Sequence, residues 1–520
     1  MTNEIPEARY LKQKVKAYIG NPLIEALPPI NSPAKAAQLL AIDLDYHDEE
    51  RDYEDEYREH CIYGLFRHFQ PLDTHIDIEK RVSRAIRQGY ISKNPVTPKY
   101  ASKLAQGAAA IESASPDWHS AYNPFSTAAG FTIIGLSGVG KTTAIERVLS
   151  LYPQQILHTQ YDGEPLFLTQ MVWAKIDCPF DGSLKGLCFS FFAYVDKILG
   201  TDYSHKFAIN RMTVDSALPR MAQIATTHCL GLLVIDEIQH LSQAKSGGKE
   251  KMLNFFVTLV NTVGVPVVLI GTSKALPILQ SEFRQARRGS GQGDLIWERM
   301  QNDLSWEIMV RAMWKNQWTR KHTPLTDELK NTLYDESQGI IDIAVKLYAF
   351  AQAKVIGDGT EEVTAAAIRE VAAVKLRLLK DYLDAIRSGD VKKMAQYEDI
   401  MPITAEDYIA AQFGRVASGT EYAKGAMHTL EEQAVIKLLG MDIPSKVARF
   451  AVKKAIGNAT VGQPLATVAK KAMRIALNMD SGKDVIETDE QADDLRKSVG
   501  STAYDSLKQS GVIAPDEDEF

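Results

Sequence analysis

The chain contains little cysteine. Its 520 residues include four cysteines, and none of them belongs to a C-x-x-C pair or has a histidine nearby at metal-ligand spacing. This pattern argues against a zinc site and against a disulfide framework, so we expect buried free thiols. The four cysteines are Cys61, Cys178, Cys188 and Cys229.

The chain also lacks a long apolar run. No segment approaches the roughly 20 apolar residues that a membrane-spanning helix requires. The first residues, Met-Thr-Asn-Glu-Ile-Pro-Glu, are acidic where a secretory signal peptide would be basic. We therefore expect a cytoplasmic protein with no membrane partner.

A strong excess of one charge is absent as well. The formal net charge is -7, and 24% of the residues are charged against 45% that are hydrophobic, as in ordinary globular proteins. A uniformly basic nucleic-acid coat is thereby excluded. Any DNA binding must come from local patches, or from many subunits that each add a few contacts.

The segment Phe131 to Thr143 reads Phe-Thr-Ile-Ile-Gly-Leu-Ser-Gly-Val-Gly-Lys-Thr-Thr. It fits the phosphate-binding pattern G-x-x-x-x-G-K-[ST], with a β-branched strand before it and an amphipathic helix after it. In this pattern backbone N–H groups converge on phosphates, Lys141 reaches the β- and γ-phosphates, and the Thr142 hydroxyl ligates Mg²⁺. The alternative, a glycine-rich turn that matches by chance, does not explain the strand and helix context. The predicted nucleotide-binding residues are Gly135, Ser137, Gly138, Val139, Gly140, Lys141, Thr142 and Thr143.

A second segment indicates hydrolysis as well as binding. Residues 232 to 237 read Leu-Leu-Val-Ile-Asp-Glu, an apolar strand that ends in two carboxylates. Asp236 would hold Mg²⁺ through water, and Glu237 would polarise the attacking water. Capping of a helix by the same two carboxylates is the plainer alternative.

Strands and helices alternate from residue 131 to about 310, which predicts an α/β fold with a parallel sheet and crossover helices. Beyond 311 the pattern is helical and predicts a lid, with helix caps at Thr326 and Thr360. We predict a mostly helical targeting or partner region at 1–125, an ATPase core at 126–310, a helical lid at 311–385, and a helical C-terminal region at 386–520 with an acidic tail. Besides the strands at 131–135 and 232–236, we predict strands at Met171 to Ile176, Pro266 to Ile270 and Leu304 to Val310.

Two further features suit a γ-phosphate sensor and an arginine finger. Thr272 follows the predicted strand 266–270, so its hydroxyl would lie beside the γ-phosphate if this strand neighbours the strand of Asp236. Three arginines then cluster between Phe283 and Gly289, and Arg299 is expected on the next helix. Arg287 or Arg288 is predicted to reach the nucleotide of a neighbouring subunit, although ordinary surface arginines are the alternative.

Taken in this order, these motifs resemble the AAA+ superfamily over residues 131 to about 375. A narrower resemblance rests on Trp-Ala-Lys-Ile-Asp-Cys-Pro at 173–179, Gly-Ser-Leu-Lys-Gly-Leu at 182–187 and Asp-Glu-Ile-Gln-His-Leu at 236–241, with Val-Leu-Ile-Gly-Thr at 268–272. These segments are similar to the TnsC regulators of Tn-seven-like transposons, relatives of TniB and MuB. One departure is the lid, where Gly-Ile-Ile-Asp at 339–342 replaces the usual G-x-x-R sensor, with Lys346 one turn later.

The resemblance implies an ATP- and Mg²⁺-dependent regulatory ATPase that assembles as a ring or filament on duplex DNA, with a hexamer or heptamer per turn. It implies partners too: the transposase and endonuclease subunits, and a target-selection protein or RNA-guided complex. DNA contacts would come from the insertion between the two Walker motifs, although ordinary surface charges are the alternative. The candidate DNA-binding residues are Lys185, Lys206 and Arg211.

Two other functions stay open. A STAND-type signalling ATPase would combine the same core with sensing regions, but we find no sensor repeats. An initiator-like loader would carry a winged helix in its C-terminal third. The acidic tail, residues 514–520, would dock a partner or merely solubilise the chain.

Overall fold

The computed structural model describes residues 5–98, 130–207, 213–243, 265–275 and 293–389, together with isolated positions at 100–109 and 450–475. The chain divides into a compact unit at Met1–Val416 and a second unit at Ala417–Phe520. The fold described below is that of the first unit. Arg211, Arg287, Arg288 and the acidic tail lie outside the described residues.

The first unit is built on a five-stranded parallel sheet with the strand order β4-β5-β6-β1-β7. The residues of β1, β5 and β6 are all buried, as expected for strands that are covered on both faces. The predicted α/β class with a parallel sheet is thereby confirmed. The strands are β1 (Phe131–Gly135), β4 (Trp173–Asp177), β5 (Leu232–Asp236), β6 (Val267–Gly271) and β7 (Asp294–Trp297).

The crossover helices follow from capping and periodicity. The helix before β5 has Thr213 as its N-cap, and the Thr213 hydroxyl accepts a hydrogen bond from the backbone N–H of Ser216. This cap fixes where the helix begins. Ser183 caps the helix after β4 in the same way, through the N–H of Gly186. The described helices of this part are α5 (Lys141–Leu149), α6 (Leu184–Leu199), α7 (Tyr203–Lys206) and α8 (Val214–Thr227).

An antiparallel hairpin precedes β4 and was not predicted. Strands β2 (Gln155–Tyr161) and β3 (Glu164–Met171) pair with each other. Asp162 and Gly163 both have positive φ values, 51° and 83°, which suits a two-residue hairpin turn. The predicted strand at Met171 to Ile176 therefore spans two elements, since β3 ends at Met171 and β4 begins at Trp173.

The N-terminal segment packs on the same hydrophobic core as the sheet. Tyr90 lies in a long helix and is fully buried, and its hydroxyl donates to the carbonyl of Cys229 at 2.8 Å. Arg147 of α5 donates to the carbonyl of Leu40 at 2.9 Å. The helices of this segment are α1 (Pro22–Glu25), α2 (Pro33–Leu40), α3 (Asp55–Ile62) and α4 (Asp73–Ile91).

The lid is helical, as predicted. Thr326 caps its second helix through the N–H of Leu329, as predicted. The predicted cap at Thr360 is wrong, because Thr364 caps the helix that follows. The helices are α9 (Leu304–Trp314), α10 (Asp327–Ser337), α11 (Ile341–Gly357), α12 (Ala365–Lys375) and α13 (Lys380–Ser388).

The predicted strand at Leu304 to Val310 is also wrong, because these residues begin α9. Asp303 accepts hydrogen bonds from the N–H groups of Ser305 and Trp306, which starts a helix. The buried residues Trp306, Met309, Val310 and Met313 recur at helical spacing. The strand of this region is β7, which is shorter and ends at Trp297. The expected helical position of Arg299 is also wrong, because Arg299 lies in the loop after β7.

Cys178, Cys188 and Cys229 are buried free thiols as expected, whereas Cys61 is partly exposed. Among the helices of the described part of the chain, none is long and apolar enough to cross a membrane.

Candidate functional site

The loop between β1 and α5 has the backbone shape of a phosphate cradle. Gly138 and Gly140 have φ values of 80° and 98°, and Gly140 is the N-cap of α5. Residues with side chains rarely adopt these angles, so the loop requires glycine at both positions. The first N–H groups of α5 lack partners within the helix, and the helix dipole favours an anion in front of them.

Gly135 serves the packing of the sheet. It ends β1 and lies beside Trp297 of β7, and a Cβ atom at this position would stand 2.1 Å from the Trp297 carbonyl oxygen. Glycine at 135 therefore permits the close approach of β7 to β1. Of the other predicted loop residues, Val139 is buried, Ser137 is partly exposed and Thr143 is exposed on the first turn of α5.

Lys141 is folded into the loop that precedes it. Its ammonium group donates to the carbonyl oxygens of Gly135, at 3.0 Å, and Leu136, at 2.7 Å. The side chain is buried, with 9% of the residue exposed. The positive charge is therefore held at the centre of the loop, where phosphate oxygens would be expected.

Thr142 and Asp236 join the two motifs directly. The Thr142 hydroxyl donates to Oδ2 of Asp236 at 2.8 Å. Thr142 is in the first turn of α5 and Asp236 is the last residue of β5, so the carboxyl end of the sheet meets the start of the helix here. A hydroxyl and a carboxylate at this edge are oxygen ligands of the kind that Mg²⁺ prefers.

The carboxyl group of Asp236 lies in a charged but largely dry environment. Burial raises its pKa above the usual value, against the opposing effects of the Thr142 hydroxyl, the Glu237 N–H group and the Lys175 ammonium. Lys175 of β4 lies 3.7 Å from Asp236 and 3.1 Å from both Glu146 and Asp177. Lys175 was missed as a site residue, and the only signal was a lysine within the otherwise apolar start of β4.

Glu237 follows in a strained conformation. Its φ is 56°, and its N–H group donates to Oδ1 of Asp236 at 2.8 Å. The left-handed region costs a residue with a side chain about 1–3 kcal/mol. The carboxylate accepts a hydrogen bond from the side-chain amide of Gln239, which was also not predicted as a site residue.

Thr272 directly follows β6, which pairs with both β5 and β1. The condition set for a sensor, that its strand neighbours the strand of Asp236, is therefore met. Thr272 is 6% exposed, and within the described residues its hydroxyl oxygen is buried without a hydrogen-bond partner. A buried hydroxyl without a partner at this edge of the sheet is suited to donate to a phosphate oxygen.

The lid contacts the phosphate loop at Gly138. The N–H group of Asp342, in the first turn of α11, donates to the carbonyl of Gly138 at 3.1 Å. Lys346, one turn later, donates to the Asp342 carboxylate at 2.7 Å. The lid thus presents an acid-base pair here instead of an arginine.

The remaining candidates are spread over the molecule. Lys185 lies in the first turn of α6 and is partly exposed, whereas exposed Lys206 lies in α7, beyond the other end of α6. The chain folds back after α6, because the ring of Phe207, next to Lys206, lies 5.4 Å from the ring of Phe192 in the middle of that helix. Arg299 donates to the carbonyl and the side chain of Gln338 at 3.2 Å, and so holds the loop after β7 against the lid.

Residues 126–279 match a family described as "AAA domain". The strand order and this match confirm the predicted AAA+ P-loop NTPase fold, with a helical lid and a helical N-terminal extension. No curated protein matches the sequence.

Three solved structures illustrate the proteins to which this chain is similar. The Aeropyrum pernix ORC1 protein in complex with DNA is 13% identical, with 75% of this chain and 87% of that chain covered and a TM-score of 0.35. CDC6P from Pyrobaculum aerophilum is also 13% identical, with 82% of this chain and 89% of that chain covered and a TM-score of 0.30. The Thermotoga maritima RuvB Holliday junction branch migration motor is 13% identical, with 66% of this chain and 93% of that chain covered and a TM-score of 0.29.

Proposed function

We propose that this chain binds and hydrolyses ATP with Mg²⁺, and that it does so as a regulator of transposition on duplex DNA. The observation that carries the ATPase part is the contact between Thr142 and Asp236, because it brings the two predicted metal ligands together at the phosphate loop. The orphaned hydroxyl of Thr272 and the inward ammonium of Lys141 add the groups that would contact phosphate.

Each side chain has a distinct task in this proposal. Lys141 leaves its two carbonyl partners to hold the β- and γ-phosphates, and Thr272 donates to the γ-phosphate. Glu237 orients the water that attacks, since it follows the metal-binding Asp236 directly. Thr142 and Asp236 would hold Mg²⁺, which when bound neutralises phosphate charge. Asp236 must be ionised for this role, and Lys175 favours the ionised form.

The transposition part depends on the motifs at 173–179, 182–187, 236–241 and 268–272, which resemble those of TnsC regulators. In this proposal subunits assemble as a ring or filament around DNA, and Arg287 or Arg288 completes the nucleotide site of the neighbour. Lys185, Lys206 and Arg211 would each contribute phosphate contacts. Because a subunit offers few such contacts, DNA affinity would depend on assembly and fall steeply with salt.

Electron microscopy of the protein with linear duplex DNA and a non-hydrolysable ATP analogue tests the assembly. We expect rings or filaments that enclose DNA, and none with ADP. Closed oligomers that form equally well without DNA would contradict the proposal and favour a signalling ATPase.

The genes beside the coding sequence test the transposition role separately. We expect a transposase gene and a gene for a targeting protein, and the encoded transposase should be activated by this protein only with ATP. A chain encoded alone in a defence cluster, with normal ATP hydrolysis, would overturn the transposition role and leave the ATPase intact.

A further inference from the structure

Gln239 connects two parts of the site that come from different strands. Its side-chain nitrogen donates to Oε2 of Glu237, and its side-chain oxygen accepts from the backbone N–H group of Thr272 at 3.1 Å. Gln239 is 4% exposed, so water cannot easily replace either bond. The predicted base and the predicted sensor are therefore joined through one amide.

The orientation of this amide is fixed by its partners. A backbone N–H group can only donate, so the amide must present its oxygen to Thr272 and its nitrogen to Glu237. Rotation of the amide by half a turn would place nitrogen against N–H and oxygen against carboxylate, and both bonds would be lost. The hydrogen-bond network itself thus defines which end of the amide faces Glu237.

The fold makes room for this bridge. A Cβ atom at Gly271 would stand 2.6 Å from Ile238 and 3.0 Å from the side-chain oxygen of Gln239. The end of β6 therefore needs glycine so that the turn after β5 can approach it. The left-handed backbone of Glu237, at a φ of 56°, belongs to the same turn. Glu237 is strained at the same place where β6 and the turn after β5 approach closely. The fold therefore maintains this geometry at a cost in conformational free energy.

We propose that Gln239 is a positioning residue that holds the Glu237 carboxylate and the Thr272 backbone in fixed register for hydrolysis. This inference depends on the proposed function, because it assigns Gln239 a task only if Glu237 orients water. The amide donates to Oε2 of Glu237, and in this proposal Oε1 contacts the attacking water. The bridge links the Glu237 carboxylate to the backbone N–H group of Thr272, the residue whose hydroxyl is the predicted sensor.

The test compares Gln239→Glu and Gln239→Ala with wild type. The glutamate keeps the acceptor for Thr272 but loses the donor and places a second carboxylate beside Glu237. Both variants should lower kcat about 10- to 100-fold, the order of loss expected from a small misplacement. The Kd for a fluorescent ATP analogue should stay within about threefold, since Gln239 makes no predicted phosphate contact. Gln223→Glu is the matched control, because Gln223 lies on α8 and pairs with Arg220.

A swapped pair gives a readout apart from activity. Glu237→Gln with Gln239→Glu reverses donor and acceptor, so it should restore the melting temperature that Gln239→Glu alone lowers, without restoring hydrolysis. No recovery of the melting temperature would overturn the bridge.

The remaining outcomes separate this inference from the proposed function. Normal kcat in both Gln239 variants beside an inactive Glu237→Gln overturns the role of Gln239 alone. Parallel losses of ATP affinity and kcat overturn positioning in favour of a merely structural role. Normal hydrolysis in Glu237→Gln overturns the role of Glu237 and, with it, that of Gln239.

Discussion

Arg58 and Glu361, 303 positions apart in the chain, form a two-pronged ion pair with both contacts at 2.8 Å. The Arg58 side chain is fully buried and that of Glu361 is 9% exposed. Arg58 also donates to the carbonyl of Trp318 at 3.0 Å. Helix α3 of the N-terminal segment is thereby fixed to the lid, which in turn contacts the phosphate loop through Asp342.

Removal of this pair should destabilise the protein strongly. Arg58→Met leaves the Glu361 carboxylate buried without its main partner, which costs about 3–5 kcal/mol of the free energy of unfolding. Urea denaturation measures this change. Arg320→Met is the control, because Arg320 pairs with the same carboxylate at 3.3 Å but its side chain is 51% exposed, and exposed pairs contribute about 0–1 kcal/mol. Equal losses in the two variants would contradict the importance of the buried pair.

Glu237→Gln should keep ATP binding and stall hydrolysis. The amide cannot accept a proton from water, and loss of a general base lowers rates about 10²- to 10⁴-fold. Single-turnover hydrolysis gives the rate, and a fluorescent ATP analogue gives the affinity. On DNA, the variant should form long-lived oligomers. Turnover near the wild-type rate would show that the base is another residue.

A finger supplied by a neighbouring subunit should make hydrolysis depend on assembly. Turnover per subunit should rise with protein concentration and with DNA, and Arg287→Ala/Arg288→Ala should be inactive alone. Mixed with Lys141→Ala subunits, it should regain activity, because one kind of subunit holds nucleotide and the other offers its arginines. Turnover that is flat across concentration would instead indicate a self-contained site.

His75 should make the fold sensitive to acid. Burial lowers its pKa to about 4 from the usual 6.5, and its Nδ1 atom accepts from the N–H group of Leu72 at 2.8 Å. The folded state therefore binds fewer protons than the unfolded state between these pH values. Stability from this group is complete above pH 6.5 and is lost as the pH falls toward 4, with a loss of about 2 kcal/mol by pH 5.

Urea titrations at pH 7 and pH 5 check this for wild type and His75→Asn. Asparagine does not titrate, and its side-chain oxygen can still accept a hydrogen bond. The variant should lose less stability between the two pH values than wild type does. The same loss in both proteins would assign the acid sensitivity to other groups.

The central strands and the phosphate loop were predictable because local sequence determines them. The apolar runs of β5 and β6 and the glycine pattern after β1 each carry their own signal. The hairpin of β2 and β3 also carries a local signal, Asp162-Gly163 between β-prone runs. The strand predicted at 304–310 is a helix because its buried residues recur every three to four positions and Asp303 caps its start.

Contacts between distant segments could not be predicted in this way. Gln239 is two residues from Glu237, but its link to Thr272 exists only because β5 and β6 are neighbours in the sheet. Lys175 reaches Asp236 from β4 for the same reason. The predicted cap at Thr360 is wrong because Glu361 adopts a φ of 59° and pairs with Arg58. The sequence around residue 361 gives no indication of a partner 303 positions away.

The most direct test of the account is the dependence of DNA binding on nucleotide in wild type and Lys141→Ala. Fluorescence anisotropy of a labelled duplex should show tight, salt-sensitive binding by wild type with a non-hydrolysable ATP analogue, and weak binding with ADP or without nucleotide. Lys141→Ala should bind weakly in all three conditions, because it lacks the ammonium group at the centre of the phosphate loop. Binding by Lys141→Ala, or by wild type without nucleotide, that is as tight as wild-type binding with the ATP analogue would contradict the claim that ATP controls assembly on DNA.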